Sequence, residues 1–252
     1  MSVVNSNLVI YISANMPESN SGLNGGAIDS GIRATYEDIT SPAQIVSFSS
    51  DNSDNQSGTI TGRTSAGIIV SENIGLNGTG SVTSTYSYER ILKYYLNSIG
   101  VGTVTVSGNG VNKITEIPVG ESGFRRPFYD TIADSSVDKT YYEKLFVKNN
   151  NPINTLNSAN LIEVPSGVYQ SVKFGIENTK KSTQSVANRL TQPSFLLNHT
   201  GVGQPWGNGP LEVVGATLPS TDYQGFWLKL DLTAGQTAEK SFYEIQVSGT
   251  TV

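Results

Sequence analysis

The chain has 252 residues, with 26 glycines, 12 tyrosines, one histidine, no cysteine, 15% charged residues and a formal net charge of −5. These values exclude disulfides and metal sites built on thiolates or several imidazoles, and they argue against a general affinity for nucleic acid, which needs a basic stripe. No apolar run reaches the ~18 residues that span a bilayer, and no long Ala/Glu/Lys/Leu block suggests helices. The length fits two ordinary domains, and the glycine and tyrosine content fits β-sheets joined by many turns. The N-terminus lacks a basic region followed by an apolar one, so no secretion signal is expected and synthesis in a cytosol is.

Taken in order, residues 7–13 form a first strand around Leu8, Val9, Ile10, Tyr11 and Ile12, whose continuous apolar run predicts burial on both faces. Residues 14–31 carry Pro17, Gly22, Gly25, Gly26 and Gly31 among Ser and Asn, with only Glu18 and Asp29 charged. This is loop chemistry, and a loop of that length is expected to dock on a neighbour. Residues 33–39 read as a weakly alternating strand. Residues 45–106 are the clearest all-β stretch, with short apolar alternations separated by Gly, Asn, Ser and Asp. Residues 59–61 and 68–71 form a hairpin through Gly67, and Asn77-Gly78 is a strong turn signal. Residues 86–99 satisfy both periods: Tyr88, Ile91, Leu92, Tyr95 and Leu96 have helical spacing, whereas Tyr86, Tyr88, Arg90, Leu92, Tyr94 and Leu96 alternate. The aromatic content and the flanking strands tip the reading to strand. Strands follow at 101–107 and 111–117, joined at Gly108-Asn109-Gly110.

Residues 118–139 look like a seam, placing one domain at 1–122 and a second at 123–252. Phe124, Phe128 and Tyr129 are too apolar for a free linker and should pack into a domain or an interface. In residues 140–149, Tyr141, Glu143, Leu145 and Val147 read as the core face, and Tyr142, Lys144, Phe146 and Lys148 as the outer face. Further strands are expected at 159–164, 172–177, 211–214, 225–232 and 241–247, spaced as in a β-sandwich. One or two helical turns are expected at 184–190. In 226–232, Phe226, Leu228, Leu230 and Leu232 face inward, which turns Trp227 outward as an interface or edge residue.

Little of this points to a reaction. His199, the single histidine, has no G-x-S-x-G elbow to serve and reads as a loop residue. Asp51-Asn52-Ser53-Asp54-Asn55 imitates the start of a calcium loop but has Gln56 at the sixth position and Gly62 at the twelfth, so it reads as an Asx-rich turn. No pair among the 21 acids is singled out for glycoside hydrolysis. Gly22 to Gly26 lacks the Gly-Lys-Ser/Thr ending of a phosphate loop. The basic pairs Arg125-Arg126 and Lys180-Lys181 read as solvated surface. Trp206, in a turn-rich loop, reads as a plug for the end of a sandwich, with stacking on a sugar ring as the alternative. No catalytic residue, cofactor or metal is expected. Periodicity and spacing alone reach an all-β chain of two antiparallel β-sandwiches.

The segments ANMPESNSGLNGGAID, TITGRTSAGIIVSENIGLNGT, FRRPFYDTIADSS, YYEKLFVKNNN and GFWLKLDLTAGQTA resemble, over residues 8–247, virion structural proteins of tailed bacteriophages. The resemblance implies tandem Ig-like β-sandwiches and a decoration (cement) protein on the capsid exterior, made in the host bacterial cytoplasm. The partners it implies are the major capsid protein and further copies of this chain, with a trimer favoured, and neither nucleic acid nor membrane. Residues 14–31 would be an attachment arm. The candidate contact residues are Met16, Pro17, Leu23 and Ile28 in that arm, Phe124, Arg125, Arg126 and Phe128 in the seam, and Trp206 and Trp227. Alternative roles are a tail, neck or baseplate component, or a carbohydrate-binding host-recognition module.

Overall fold

A computed structural model describes residues 2–34, 39, 42–108, 112–129, 131, 133–164, 171–199, 203–236 and 243–251. Its regular structure is almost entirely β, in several mostly antiparallel, sandwich-like sheets. The strands are, in order, Leu8–Asn15 (β1), Asn24–Arg33 (β2), Gln44–Ser50 (β3), Ser57–Arg63 (β4), Ile69–Gly75 (β5), Val82–Tyr88 (β6), Arg90–Leu96 (β7), Val104–Gly108 (β8), Asn112–Ile117 (β9) and Gly123–Arg125 (β10). They continue with Lys139–Asn149 (β11), Leu156–Glu163 (β12), Val172–Ile176 (β13), Ser185–Val186 (β14), Leu211–Glu212 (β15), Thr217–Leu218 (β16), Tyr223–Leu232 (β17) and Ile245–Thr250 (β18). Most of the strand expected at 33–39, the turn at Gly108-Asn109-Gly110 and the start of the strand expected at 241–247 lie outside the described residues.

The chain forms two units, but not at the expected 122/123 boundary. Unit 1 comprises Met1–Asp29 and Asp130–Val252, and unit 2 is Ser30–Tyr129. The reason is long-range pairing. β1 runs antiparallel to β11, from Leu8↔Asn149 to Ile12↔Leu145, so the N-terminal strand completes the sheet of the C-terminal half. The seam around residue 123 is not a linker either, because β10 is buried and pairs with β7 inside unit 2.

In unit 1, β13, β17, β11 and β1 form a continuous antiparallel ladder, and β12 carries β15 and β16 along one edge and β18 along the other. Both faces of β11 are covered. Tyr141 through Val147 are all buried, which corrects the expectation that Tyr142, Lys144 and Phe146 face out. A side chain's alternation tells which face it takes, and solvent sits on that face only if no second layer covers it. Here β14 and the irregular segment around it cover the second face: Val186, Trp206, Phe195 and Leu196 pack on Tyr142 and Trp227. No helix forms at 184–190, since Ser185 and Val186 pair with Gly25 and Asn24 of β2.

The same packing corrects the reading of residues 14–31 as one long loop. β1 extends to Asn15 and β2 begins at Asn24, so half of residues 14–31 is strand, and Asn24, Gly25 and Gly26 are buried. Gly25 has φ +114, and a Cβ there would lie 2.6 Å from the Gln184 carbonyl oxygen and 3.2 Å from Trp227 Cη2. Gly25 thus brings backbone against an indole, and Gly26 brings it against the Asn15 amide, rather than loosening a loop.

In unit 2, β10, β7, β4 and β5 form one antiparallel sheet, with β10 also pairing in parallel to Ile32 and Arg33 of β2. The second sheet runs β6-β3-β8-β9. Between them lies an apolar core that includes Val46, Phe48, Ile60, Ile91, Tyr94, Val104, Val106 and Phe124. Phe48 and Tyr94 meet at a ring separation of 4.7 Å. Gly58 leaves room for the Tyr94 ring, which a Cβ would meet at 2.6 Å. Of residues 86–99, 86–88 end β6 and 90–96 form β7, so the strand reading holds there, while Glu89 breaks the run and 97–99 lie beyond it. The helical spacing has a local cause: the β4–β7 register shifts between Thr61 and Gly62, so a bulge sends both Ile91 and Tyr94 to the core.

Candidate functional site

The structure scatters the sequence-derived contact residues. Phe124 and Trp227 are fully buried, Arg125, Met16 and Trp206 nearly so, and Pro17, Ile28, Arg126 and Phe128 are half-buried; only Leu23 is well exposed. Trp227 is therefore not a surface aromatic. Its Nε1–H donates to Glu177 Oε1 at 2.9 Å, and Phe195 lies edge-on to its ring. Trp206 is buried, its ring tilted against Tyr142 at 5.3 Å within the layer over β11, which leaves no open indole pair for a sugar. Arg125 lies over the Tyr129 ring, with Lys93 over the same ring.

One end of unit 2 has a different character. The pairing Val104↔Ile117 brings the residues before β8 and after β9 together, and the Leu96 N–H bond to the Ser122 carbonyl adds the residues after β7. Ile99, Val101 and Val119 are exposed there by 60%, 63% and 60%. Residues 97–103 and 118–120 contain no charged side chain. Glu121 beside them is tied to Arg33 by two hydrogen bonds of 2.5 and 2.9 Å.

Two aspartates fix this end. Asp54 is almost closed to solvent and accepts from Ser50 Oγ at 2.6 Å, the Val101 N–H at 2.8 Å and the Gly102 N–H at 2.9 Å. Asp51 Oδ1 accepts from the Thr103 N–H at 2.7 Å. The Ser50 hydroxyl, then the two backbone N–H groups, hold the Asp54 carboxyl below its ordinary pKa against the opposing effect of burial. The calcium-like spelling is thus a loop staple, with the carboxylates facing amides. Among the described residues no group of three or more His, Asp or Glu side chains is placed to hold a metal. The Asx-rich composition was the sequence signal for this staple. The exposed apolar trio had none, because Val101 read as the start of a strand.

Unit 1 encloses two ion pairs, and of their four residues only Glu143 was read as facing the core. Lys144 Nζ and Glu177 Oε1 are 2.8 Å apart with both side chains 0% exposed. Lys144 also donates to the carbonyls of Ser182 and Gln184 and lies over the Phe146 ring. On the neighbouring residue, Glu143 meets Arg189 at 2.7 Å, again fully enclosed. His199 is buried on a loop that covers the edge of β13, with Nε2 3.1 Å from the Phe174 carbonyl oxygen and the ring edge-on to Phe174. Burial pushes its pKa down. Local spacing could not reveal Lys144 and Glu177 as partners, because they lie on different strands far apart in sequence.

No protein-family model and no curated protein sequence matches this chain. Among solved structures, it is similar at 11% identity to the VP2 subviral particle of infectious bursal disease virus, covering 100% of this chain and 68% of that one, with a TM-score of 0.16. A likeness of that degree carries no argument about fold or role.

Proposed function

We propose that this chain is a non-enzymatic structural protein of a bacteriophage virion, a decoration protein that binds the outer surface of the major capsid lattice and stabilises it. The observation that carries this reading is the end of unit 2 with Ile99, Val101 and Val119 exposed on uncharged loops, the first of them stapled at Val101, Gly102 and Thr103 by Asp54 and Asp51. Exposed aliphatic side chains on a pre-organised frame bind another protein surface without a large ordering cost. The sequence resemblance to phage virion proteins supplies the kind of partner. A net charge of −5 suits an exterior position away from packaged genome. Copies set around a lattice vertex would form a symmetric homo-oligomer, with a trimer at a threefold position.

The test is to add purified protein to capsids that lack it and sediment the mixture, with the mass in solution measured by light scattering. Stoichiometric co-sedimentation with heads is the expected result, together with its loss in Ile99→Asp/Val101→Asp. A chain that ignores heads, or that is found on isolated tails, overturns the decoration reading.

A further inference from the structure

Lys144 and Glu177 form a contact whose hydrogen-bond inventory suits a covalent product better than an ion pair. Nζ faces Glu177 Oε1 at 2.8 Å, the Ser182 carbonyl oxygen at 2.9 Å and the Gln184 carbonyl oxygen at 3.1 Å. Oε1 also accepts the Trp227 indole N–H at 2.9 Å. Glu177 Oε2, equally buried, meets no donor at hydrogen-bond geometry, and the Ser182 side chain gives the carboxylate only the weakest of its stabilising contacts. It lies where Gly225 has no side chain; a Cβ there would be 2.2 Å from it. A sealed carboxylate oxygen without a donor is a costly feature for an ion pair.

We propose that Lys144 and Glu177 condense spontaneously to an intramolecular isopeptide bond, joining β11 to the residue that follows β13. The balance is closed. The ammonium passes one proton to Oε2, giving an amine and a carboxylic acid. The Nζ lone pair forms a bond to Cδ, a second Nζ proton moves to Oε2, and the Cδ–Oε2 bond breaks to release water. No oxidant, metal or external reagent is needed. Trp227 Nε1–H is placed to stabilise negative charge on Oε1 as the carbon becomes tetrahedral. Two groups held in contact in a dry site react as if at very high concentration. Burial favours the neutral, reacting form of both partners: it lowers the Lys144 pKa and raises that of Glu177, outweighing the attraction between the charges.

The product leaves no buried atom stranded. Nζ keeps one hydrogen for the Ser182 carbonyl. The Gln184 carbonyl oxygen retains the Gly26 N–H at 3.0 Å. Oε1 retains Trp227. The oxygen that departs is the one that meets no donor at hydrogen-bond geometry.

The experiment is intact-mass spectrometry of the full-length folded protein after denaturation, followed by peptide mapping. The expected result is a mass lower than the sequence mass by one water, and a branched peptide joining the Lys144 and Glu177 segments. Lys144→Met should return to the full sequence mass. Glu177→Gln is no control, since an amide can yield the same bond by losing ammonia. A wild-type chain that keeps its full sequence mass after prolonged incubation in the folded state overturns the proposal, as does a water loss that maps to any other residue. Because the wild-type mass decides the matter, a variant that fails to fold does not blur it.

Discussion

Asp54 in unit 2 and Glu177 in unit 1 are both buried carboxylates, and their electrostatics are opposite. Asp54 faces a hydroxyl and two amide N–H groups, so its charge is solvated by the protein and its pKa falls. Glu177 faces an ammonium and an indole in a sealed site, and burial outweighs them, so its pKa rises. A carboxylate is stabilised by donors aimed at it more dependably than by one opposite charge, because the opposite charge must itself be desolvated.

The largest break in this comparison is Glu177→Leu, which leaves the Lys144 ammonium enclosed with only carbonyl partners. We expect a loss of about 3–5 kcal/mol in denaturant unfolding. Lys144→Met/Glu177→Leu should recover most of that loss if the wild-type residues are merely ionic. If they are covalently joined, the double variant should stay about 3–4 kcal/mol short, the loop-closure contribution of a cross-link over such a span. Asp54→Asn should cost about 2 kcal/mol by removing charge-assisted bonds and turning an amide donor toward backbone N–H groups. Hydrogen exchange at Val101 and Gly102 would show the loop loosening first.

The two sites should also differ in acid. The folded Asp54 pKa is depressed, so its contribution is fully present above the unfolded value of about 4 and is lost as pH falls through the folded value. The unlinked Lys144–Glu177 pair holds one dissociable proton whichever partner carries it. Around neutrality the unfolded chain holds the same one, so the pair adds no slope there. Acid unfolding of wild type against Asp54→Asn should therefore converge at low pH, and any persistent gap would mean that Asp54 acts other than through its charge.

A smaller effect is expected at Glu72, whose carboxylate accepts from the Thr85 and Tyr86 N–H groups and the Tyr88 hydroxyl, linking the edge strands β5 and β6. Glu72→Gln should cost about 1 kcal/mol and leave β6 more prone to pair with other chains, read as concentration-dependent mass by light scattering. Smallest for stability is Ile99→Ser/Val101→Ser, expected within about 0.5 kcal/mol of wild type in denaturant unfolding, although capsid attachment should fall.

The sequence made the strands legible because alternation and turn chemistry are local. β4, β7, β8, β11 and β17 lie close to where periodicity put them. Partnership was not legible. Nothing near Leu8 says that it pairs with Asn149, so the unit boundary was misplaced. Gly25 and Gly26 were misread because glycine gives one signal for two situations, a free turn and a close approach, here of Gly25 to Trp227 and of Gly26 to the Asn15 amide. Lys144 was assigned to solvent because its alternation is the same whether water or a second layer covers that face. At the apolar end of unit 2, Asp51 and Asp54 were visible as loop formers, while the exposure of Ile99 and Val119 depends on a register the sequence does not state.

The order of synthesis adds a consequence of the β1–β11 pairing. Val9, Ile10, Tyr11 and Ile12 leave the ribosome long before their partners at Leu145–Lys148 exist, and unit 2 lies wholly between them. At about 5–20 residues per second, the first strand waits on the order of ten seconds with its edge open while unit 2 can already fold. The nascent chain is then most vulnerable at β1. A chaperone that holds residues 8–13 during that interval would raise the yield of folded protein without touching the finished molecule.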